Sequence, residues 1–247
     1  MRMGRLLGAG RTADVYELGD TDAHGNADAN PDTNAGADNG TWVLRRYRGG
    51  WGDAVAEAEV MEYVRGHGYP VPRVREATRT DLVLERLSGP TMLEAFGAGL
   101  LGPAEAGALL ARLLRELHAL PPRRTATPGV RVLHLDLHPE NVLLTPDGPR
   151  VIDWANAEEG PPGLDWGMSA VILAQVAVAD DDPRAGLAHA TLTSLLTHRT
   201  AGSALTEEGL REARARRAAD PTMTAYEIQL LGRAEELIRE AATPFVT

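Results

Sequence analysis

The chain has 247 residues, of which 43% are hydrophobic, a formal net charge of −10 and no cysteine. This length suffices for a substantial core, either in one larger domain or in two lobes. The lack of cysteine excludes disulfides, thiolate metal sites and a cysteine nucleophile, and the negative charge argues weakly against nucleic acid as the main partner. No apolar run approaches the roughly 20 residues of a membrane helix, and the N-terminus lacks the apolar stretch of a secretory signal, so we expect a cytoplasmic protein with no membrane partner.

Residues 1–87 are predicted to be rich in short strands. A glycine turn separates the first two strands, a long segment separates the second from the third, and alternating apolar runs indicate two more. The five strands are RLLGAG, DVYEL, TWVLRRY, VPRVREA and DLVLERL. Residues 53–68, after the third strand, have apolar side chains at helical spacing and run into a stretch with Gly and Pro, which predicts one helix.

The segment of residues 20–40 differs from its surroundings in composition. It is rich in Gly, Asn, Ala and Asp, has no periodicity, and contains five aspartates without any Lys or Arg, so it supplies half of the net charge. Such a composition buries too little apolar surface to offset the entropy lost on ordering. We therefore expect a long flexible loop between two strands, most simply an inert insertion.

Beyond residue 87 the periodicity becomes helical. A helix that begins with proline and has a leucine face is predicted over residues 103–120, and the chain has a helical pattern from Leu164 onward. Two short strands flank the stretch HLDLHPENVLL. The sequence therefore predicts an α+β fold with a small β-rich lobe, residues 1–87, and a larger, mainly helical lobe, residues 88–247.

The first two strands meet in the stretch LLGAGRTADVYEL. Gly8, Gly10 and Ala13 have the spacing of a glycine-rich loop, and glycines let backbone N–H groups approach phosphates without a Cβ in the way. An ordinary glycine hairpin has the same pattern. A dinucleotide site would need a helix directly after the glycines. Because a strand follows instead, a nucleotide-binding role would take the form of a flap over the nucleotide.

The third strand ends in Arg45 and Arg46. Strand alternation turns one of them inward and the other outward. An inward cation facing a nucleotide could hold its phosphates and would need a carboxylate to fix it, and the following helix offers Glu57 and Glu59. Taken alone, these residues are more simply interpreted as solvated surface charges.

The stretch HLDLHPENVLL, residues 134–144, places polar groups directly beside apolar ones, and VIDWA follows it. Asp136 on a tight loop could act as a base toward a substrate hydroxyl. Asn141 and Asp153 could supply oxygen ligands to Mg²⁺ beside nucleotide phosphates, since a hairpin turning at TPDGPR would return Asp153 to the same edge. Singly, Asp136 could be a turn former, Asn141 a cap and His134 a packed histidine. The combination with the glycine loop favours a functional site.

This set of motifs resembles the protein-kinase-like fold, and specifically its aminoglycoside phosphotransferase and choline kinase branch. HLDLHPEN resembles the catalytic loop of that family, VIDWA its metal-binding motif and LGAGRTADVY its glycine loop. VLRRY is similar to the strand that normally carries a phosphate-anchoring lysine, and YPVPRV and LVLERLSG resemble the stretch leading into the hinge between two lobes. The resemblance covers nearly the whole chain up to about residue 180 and implies a bilobal fold.

The resemblance also implies a role for each residue of the catalytic loop and the metal motif. Asp136 would orient or deprotonate the acceptor hydroxyl. Asn141 and Asp153 would hold Mg²⁺ on the phosphates of ATP. Structural roles within and behind the loop would fall to His134, His138 and Asp165.

Residues that would bind ATP are implied in the same way. They are Gly8, Gly10, the strand cation Arg45 with its partner Glu57, and the backbone groups of Glu85 and Leu87 at the adenine edge. Two positions depart from the family pattern: Ala13 replaces the third glycine, and Arg45 stands where Lys is usual. Arginine keeps the charge and can grip phosphate through two donors, but its reach and shape differ from those of lysine.

The activity implied is ATP-dependent transfer of the γ-phosphoryl group to a hydroxyl of a small molecule, such as an aminoglycoside-like compound, an amino alcohol or another metabolite. The carboxylates of AEEG and DDDP could meet a cationic acceptor, although acidic runs are more often solvated surface. Neither nucleic acid nor a membrane is expected as a partner. The alternative is a non-catalytic nucleotide-binding regulatory protein on the same fold, for which the arginine at position 45 leaves room.

Overall fold

The structure, a computed structural model, describes residues 2–19, 42–49, 51–199 and 205–242. The loop expected over residues 20–40 lies outside the described residues. The chain divides into two compact units. The first comprises the described residues of Met1–Glu62 and Pro72–Leu87, and the second comprises those of Tyr63–Val71 and Ser88–Thr247.

Five antiparallel strands form the sheet of the first unit, in the order β1-β2-β3-β5-β4. One helix, α1, follows β3 in the chain. These elements are β1 (Arg2–Ala9), β2 (Ala13–Gly19), β3 (Trp42–Tyr47), α1 (Ala54–Gly66), β4 (Val74–Ala77) and β5 (Asp81–Glu85). The prediction of an antiparallel sheet with one helix is confirmed.

Strand β3 has different partners on its two faces because successive side chains alternate. Trp42 and Leu44 point to one face, where they form a small core with Val83 of β5 and where Tyr16 and Leu18 of β2 pack against them. The side chains of positions 45 and 47 point to the other face and are also buried. The sheet thus has apolar packing on one face and a buried polar group on the other.

The second unit contains most of the described helices and two pairs of short strands. Its helices are α2 (Met92–Gly97), α3 (Pro103–His118), α4 (Pro162–Ala177), α5 (Ala185–Thr197), α6 (Glu207–Ala219), α7 (Ala225–Gln229) and α8 (Leu231–Ala242). Its strands are β6 (Arg131–Leu133), β7 (Val142–Thr145), β8 (Gly148–Val151) and β9 (Glu158–Gly160). β7 and β8 form a hairpin, and β6 pairs with β9. The expected mainly helical part is confirmed, while α2 and β9 were not predicted.

Helix α4 lies at the centre of this unit. It is buried from Gly163 to Val171 without interruption, because α5, α6 and α8 pack against it. Glycines allow α4 and α6 to approach closely: a Cβ on Gly209 would lie 2.2 Å from the backbone oxygen of Gly163. Helix α3 adds the predicted leucine face, of which Leu110, Leu113, Leu114 and Leu117 are fully buried. Within the described residues, no helix has the length and apolar character to span a membrane.

Candidate active site

The first turn of α4 holds the stretch between β6 and β7 in place through Asp165. Both carboxylate oxygens of Asp165 accept hydrogen bonds from it: Oδ2 from the backbone N–H of His134 at 3.0 Å, and Oδ1 from that of Leu135 at 2.8 Å. Leu135 has a φ of 62°, in the left-handed region that leucine rarely adopts. His118 of α3 approaches Asp165 Oδ2 through Nε2 at 2.9 Å. Asp165 therefore braces the loop, as its position in the sequence suggested.

His134 occupies the interior of the loop as a neutral imidazole. Its Nε2 donates to the backbone oxygen of Ile152 at 3.1 Å, and its Nδ1 accepts from the backbone N–H of Asp136 at 3.2 Å. One nitrogen donates and the other accepts, which is the pattern of the uncharged ring. Burial lowers the pKa of His134, although the charges of Asp165 and Asp153 oppose this effect. The ring also meets Trp154 edge-on, with 4.7 Å between centroids.

Asp136, two residues after His134, has a carboxyl group whose pKa is strongly shifted. Burial, together with the negative charge of Asp153, raises the pKa of Asp136 from its ordinary 3.8 to about 7. The side-chain amide of Asn141 donates to the backbone oxygen of Asp136 at 2.8 Å and to its Oδ2 at 3.2 Å. A carboxylate with a pKa near neutrality can take up a proton and release it at physiological pH, as a general base requires.

Asn141 and Asp153 are tied to each other through the backbone. A short 3-10 turn, Pro139–Asn141, leads into β7, and the backbone oxygen of Asn141 accepts from the N–H of Ile152, the residue before Asp153, at 3.0 Å. Asp153 has a φ of 62°, so this position too is in the left-handed region. The hairpin β7-β8 thus returns the chain to the loop, as predicted from TPDGPR.

Whether this pair suits a magnesium ion can be judged from its donors. No group of three or more His, Cys, Asp or Glu side chains suited to a metal occurs in the described part of the chain. Mg²⁺ beside a nucleotide, however, usually needs only one or two protein oxygens, since phosphates and water complete the shell. The side-chain nitrogen of Asn141 points at Asp136, so the side-chain oxygen of Asn141 points away from Asp136. One amide oxygen and one carboxylate therefore fit the requirement.

His138 helps to shape the turn that carries Asn141. Its Nδ1 accepts from the backbone N–H of Glu140 at 3.3 Å, and its Nε2 lies 3.2 Å from the side-chain nitrogen of Asn141. Burial is the main cause that lowers the pKa of His138 to about 4. The ring is therefore neutral near pH 7, consistent with the structural role expected of it.

In the first unit, Arg45 is the inward arginine of β3 and Glu57 of α1 is its carboxylate. Arg45 Nη1 lies 2.5 Å from Glu57 Oε2, and both side chains are buried. Tyr47, two residues along the strand, joins them: its hydroxyl accepts from Arg45 Nη1 at 2.9 Å and donates to Glu57 Oε2 at 2.6 Å. Arg46 points outward and pairs with Asp81, and Glu59 is exposed. Sequence analysis missed Tyr47, although its i+2 position on the strand placed it on the same face as Arg45.

Comparison with models of known protein families assigns residues 5–130 and 94–215 to the phosphotransferase enzyme family APH. Together these matches span most of the chain. The chain belongs to this family. The assignment confirms the resemblance drawn from the motifs. Comparison with curated protein sequences finds no match.

Solved structures of phosphotransferases show the same fold. Aminoglycoside phosphotransferase APH(4)-Ia superposes with a TM-score of 0.56 at 14% identity, over 98% of this chain and 94% of that one. A choline/ethanolamine kinase family protein from Mesorhizobium loti gives 0.53 at 17% identity, over 99% and 89%. An amicoumacin kinase, in complex with AMP-PNP, Ca²⁺ and its ligand Ami, gives 0.52 at 15%, over 98% and 90%. At these identities the likeness establishes the protein-kinase-like fold.

The glycine stretch of this phosphotransferase forms the turn between β1 and β2. The backbone N–H of Gly10 donates to the oxygen of Ala13 at 2.8 Å, and Arg48 clamps the turn by donating to the oxygen of Gly10 and pairing with Asp14. A Cβ added at Gly8 would meet no atom of the described residues within 4 Å. Packing among these residues therefore does not explain the glycine at position 8.

The strand and segment expected at the adenine edge are also in the first unit. The backbone N–H of Glu85 donates to the oxygen of Arg73, and its side chain accepts from the N–H of Arg73. Leu87 lies beyond the end of β5. No backbone hydrogen bond joins Leu87 to another of the described residues.

A positive charge near the end of α6, that of Arg217, also acts on the loop of residues 134–141. Burial and Asp153 raise the pKa of Asp136, and the positive charge of Arg217 acts in the opposite direction. Arg217 is held by Gln175 of α4, whose side-chain oxygen accepts from Arg217 Nε at 3.1 Å. Sequence analysis missed Arg217, because an arginine in a charged helical tail has no local signal that separates it from surface residues.

The acidic runs considered as a cationic-acceptor site are largely occupied by arginines of the chain itself. Glu158 lies 2.7 Å from Arg216, and Asp180 and Asp182 each lie 2.8 Å from Arg233 and Arg184 respectively. The carboxylate of Glu159 accepts from the backbone N–H groups of residues 123 and 124. A cationic acceptor would have to compete with these contacts.

Proposed function

We propose that the protein is a small-molecule kinase that transfers the γ-phosphoryl group of ATP to a hydroxyl. The observation that carries the proposal is the loop of residues 134–141. In this loop a partly buried carboxyl, that of Asp136, has a pKa of about 7 and is hydrogen bonded to Asn141, whose backbone is joined to that of the VIDWA segment. Family membership supports the reaction class.

In this proposal Asp136 accepts a hydrogen bond from the acceptor hydroxyl and takes its proton as the oxygen attacks the γ-phosphorus. The bond from the γ-phosphorus to the bridging oxygen of the β-phosphate breaks, and ADP leaves with that oxygen. The amide of Asn141 orients the Asp136 carboxylate. Asn141 and Asp153 would also hold Mg²⁺, which would neutralise charge on the phosphates and make the γ-phosphoryl group a better electrophile. Most of the rate acceleration in phosphoryl transfer comes from positioning and charge neutralisation. A loop braced by Asp165 provides such positioning, since its polar groups lose little freedom on binding.

Residues of the first unit are proposed to bind the nucleotide. Arg45, fixed by Glu57, would contact phosphate, the turn at Gly8 and Gly10 would approach it through backbone N–H groups, and the backbone of Glu85 and Leu87 would bind the adenine edge. The nucleotide analogue AMP-PNP in the structures of the amicoumacin kinase and of an APH(4)-Ia mutant supports nucleotide binding by this fold. The accepting hydroxyl is expected on a small molecule, as hygromycin B in the APH(4)-Ia complex suggests.

The test combines Mg-ATP calorimetry with an acceptor screen that reads ADP release over a panel of hydroxyl compounds. Asp136→Asn should leave the dissociation constant of Mg-ATP within a few-fold of wild type and reduce turnover on the best acceptor by about 10²–10⁴-fold, the usual range for a general base. Asp147→Asn is the matched control, because Asp147 is exposed in the turn between β7 and β8. Wild-type turnover by Asp136→Asn would contradict the kinase proposal. Nucleotide binding with no acceptor phosphorylated would favour the regulatory alternative.

A further inference from the structure

The buried polar group of the first unit contains three side chains that contact one another. Arg45 Nη1 contacts both the hydroxyl of Tyr47 and the carboxylate oxygen Oε2 of Glu57, and the Tyr47 hydroxyl contacts the same oxygen of Glu57. Tyr47 contacts Arg45 a second time, since the guanidinium carbon lies 4.7 Å from the centroid of the Tyr47 ring. The relative exposure of the three residues is 8% for Arg45, 4% for Tyr47 and 3% for Glu57.

A contact at a single guanidinium nitrogen does not by itself fix the orientation of an arginine side chain. The ammonium group of lysine is a compact point charge with rotatable donors, so its action depends little on orientation. Guanidinium is planar, with five N–H donors in fixed directions, so a rotation about the axis through Nη1 moves the other donors by several ångströms. A single oxygen on Nη1 leaves that rotation open, whereas two oxygens on Nη1 together with a ring face restrict it.

We infer that Tyr47 is a positioning residue that fixes the plane of the Arg45 guanidinium for contact with phosphate. The inference rests on the proposed nucleotide-binding role of Arg45. It also gives a reason for a tyrosine at this strand position, because Tyr47 supplies the orientation that the planar guanidinium requires.

The loop before α1 is shaped to admit the tyrosine ring. Gly52 has a φ of +65°, and a Cβ placed there would lie 2.3 Å from the nearest atom of the Tyr47 ring. The backbone N–H of Tyr47 is held by the oxygen of Thr80, and Ala54, at the start of α1, is held by Arg79. The ring thus lies between the strand that carries Arg45 and the start of the helix that carries Glu57.

The experiment is a double-mutant cycle on the full chain, with Mg-ATP affinity and steady-state kinetics as readouts. Tyr47→Phe keeps the ring and removes the hydroxyl. It should weaken Mg-ATP binding about 5- to 20-fold and raise the KM for ATP by a similar factor, while the KM for the acceptor changes less than about twofold. In the Arg45→Ala background the same change should alter Mg-ATP affinity less than about twofold, because the group that Tyr47 positions is gone.

Arg45→Ala leaves the buried carboxylate of Glu57 without its arginine partner, so the same cycle is repeated in a second variant, Arg45→Lys. In Arg45→Lys the ammonium does not depend on a plane, so Tyr47→Phe should cost clearly less ATP affinity than it does beside arginine. Tyr63→Phe is the control for loss of a tyrosine hydroxyl. The Tyr63 hydroxyl donates to the backbone oxygen of Pro121, and Tyr63 belongs to none of the motifs proposed to bind ATP. Its nucleotide affinity should equal that of wild type.

The outcomes separate this inference from the proposed function. If Tyr47→Phe lowers the melting temperature but leaves ATP affinity unchanged, Tyr47 is only structural and the inference is overturned. Equal losses of ATP affinity beside Arg45 and beside lysine or alanine at that position would overturn it as well. If the wild-type protein binds no nucleotide, the proposed function fails, and the inference fails with it.

Discussion

Asp165 Oδ1 accepts a hydrogen bond of 2.8 Å from the backbone N–H of Leu135, a residue held at a φ of 62°. Left-handed backbone costs a residue such as leucine about 1–3 kcal/mol and persists only where its surroundings impose it. Burial alone would raise the pKa of Asp165, but hydrogen bonds from His118 and from the backbone of His134 outweigh burial and lower it. An ionised carboxylate therefore holds the strained loop.

Replacing this carboxylate should damage both stability and turnover. Asp165→Asn puts an N–H₂ group where one of the two backbone N–H groups now donates, so we expect a loss of about 2–5 kcal/mol in the free energy of unfolding. Urea denaturation measures it. Ser169→Ala is the control, because Ser169 is one turn further along α4 and its buried hydroxyl has no partner among the described residues. That variant should be as stable as wild type or slightly more so, and equal losses in both variants would contradict the bracing role.

The raised pKa of Asp136 predicts a stability change with a definite sign. The folded protein keeps this carboxyl protonated up to about pH 7, while the unfolded chain releases the proton near 3.8, so stability is lost as pH rises between the two values. The full shift corresponds to about 4 kcal/mol, and solvent screening reduces it because the side chain is 22% exposed. In EDTA, Asp136→Asn should be more stable than wild type by about 1–3 kcal/mol at pH 8.

That advantage should shrink toward pH 4.5, where the wild-type carboxyl is protonated in the folded state. Denaturation curves at both pH values, with Asp147→Asn as a control for loss of one charge, provide the measurement. An advantage that grows as pH falls would show that the carboxyl is stabilised as an anion and that burial is not the dominant influence.

Arg45 and Arg46 are neighbours on β3 with opposite expected effects on nucleotide binding. Arg45→Ala should weaken ATP binding by one to two orders of magnitude, on the scale of ~1.5–3 kcal/mol for a charge-assisted hydrogen bond. Arg46→Ala removes an exposed arginine paired with Asp81 and should change the affinity little. Calorimetric titration distinguishes them. Equal losses, or a loss only at Arg46, would mean that the buried arginine is not the phosphate ligand.

Loss of the Asp153 carboxylate should weaken nucleotide binding, whereas loss of the Asp136 carboxylate should mainly lower turnover. Asp153→Asn removes the charge of the proposed Mg²⁺ ligand. It should therefore weaken the binding of ATP in the presence of Mg²⁺, with little effect on the weaker binding of ATP in EDTA. Asp147→Asn again serves as the control. If Asp153→Asn weakened both equally, its role would be in nucleotide contact and not in metal binding.

Gly89 provides a prediction about stability alone. It has a φ of +138°, and a Cβ there would lie 2.1 Å from the backbone oxygen of Leu144. Gly89→Ala should therefore destabilise the protein by about 2–4 kcal/mol through backbone strain and displacement of β7. Gly97→Ala, at the end of α2, meets open space and should be nearly neutral. Thermal melts of both variants suffice, and a neutral Gly89→Ala would show that the loop relaxes freely.

Local patterns in the sequence were enough for most of the fold. Alternation placed one arginine of β3 inward, and helical spacing located α1 and α3, because these signals depend only on neighbouring residues. Helix α2 is too short for periodicity, but Thr91 and Glu94 form a capping box that the spacing T-x-x-E could have revealed. β9 contains two glutamates among its three residues and exists because it pairs with β6, a contact distant in sequence.

Some residues of the candidate site could be predicted from local motifs, and others depend on how the helices pack. The motifs identified Asp136, Asn141, Asp153 and Asp165 as candidates, and short-range geometry explains why their spacing is fixed. Alternation did not identify Glu57 over Glu59 as the partner of Arg45, since that choice depends on how α1 packs against the sheet. The effect of Arg217 on the loop likewise depends on helix packing and could not be read from its neighbours.

The arginine at position 45 belongs to a wider property of the chain: all 25 of its Lys and Arg residues are arginine, and the sequence contains no lysine. Guanidinium stays protonated at any physiological pH and is a poor nucleophile, whereas a lysine amine near a bound nucleotide can be acylated. ATP analogues designed to attach themselves to that amine have no lysine in this chain to react with. A survey that detects kinases by labelling a lysine side chain with such reagents would not detect this protein, whatever its affinity for nucleotide.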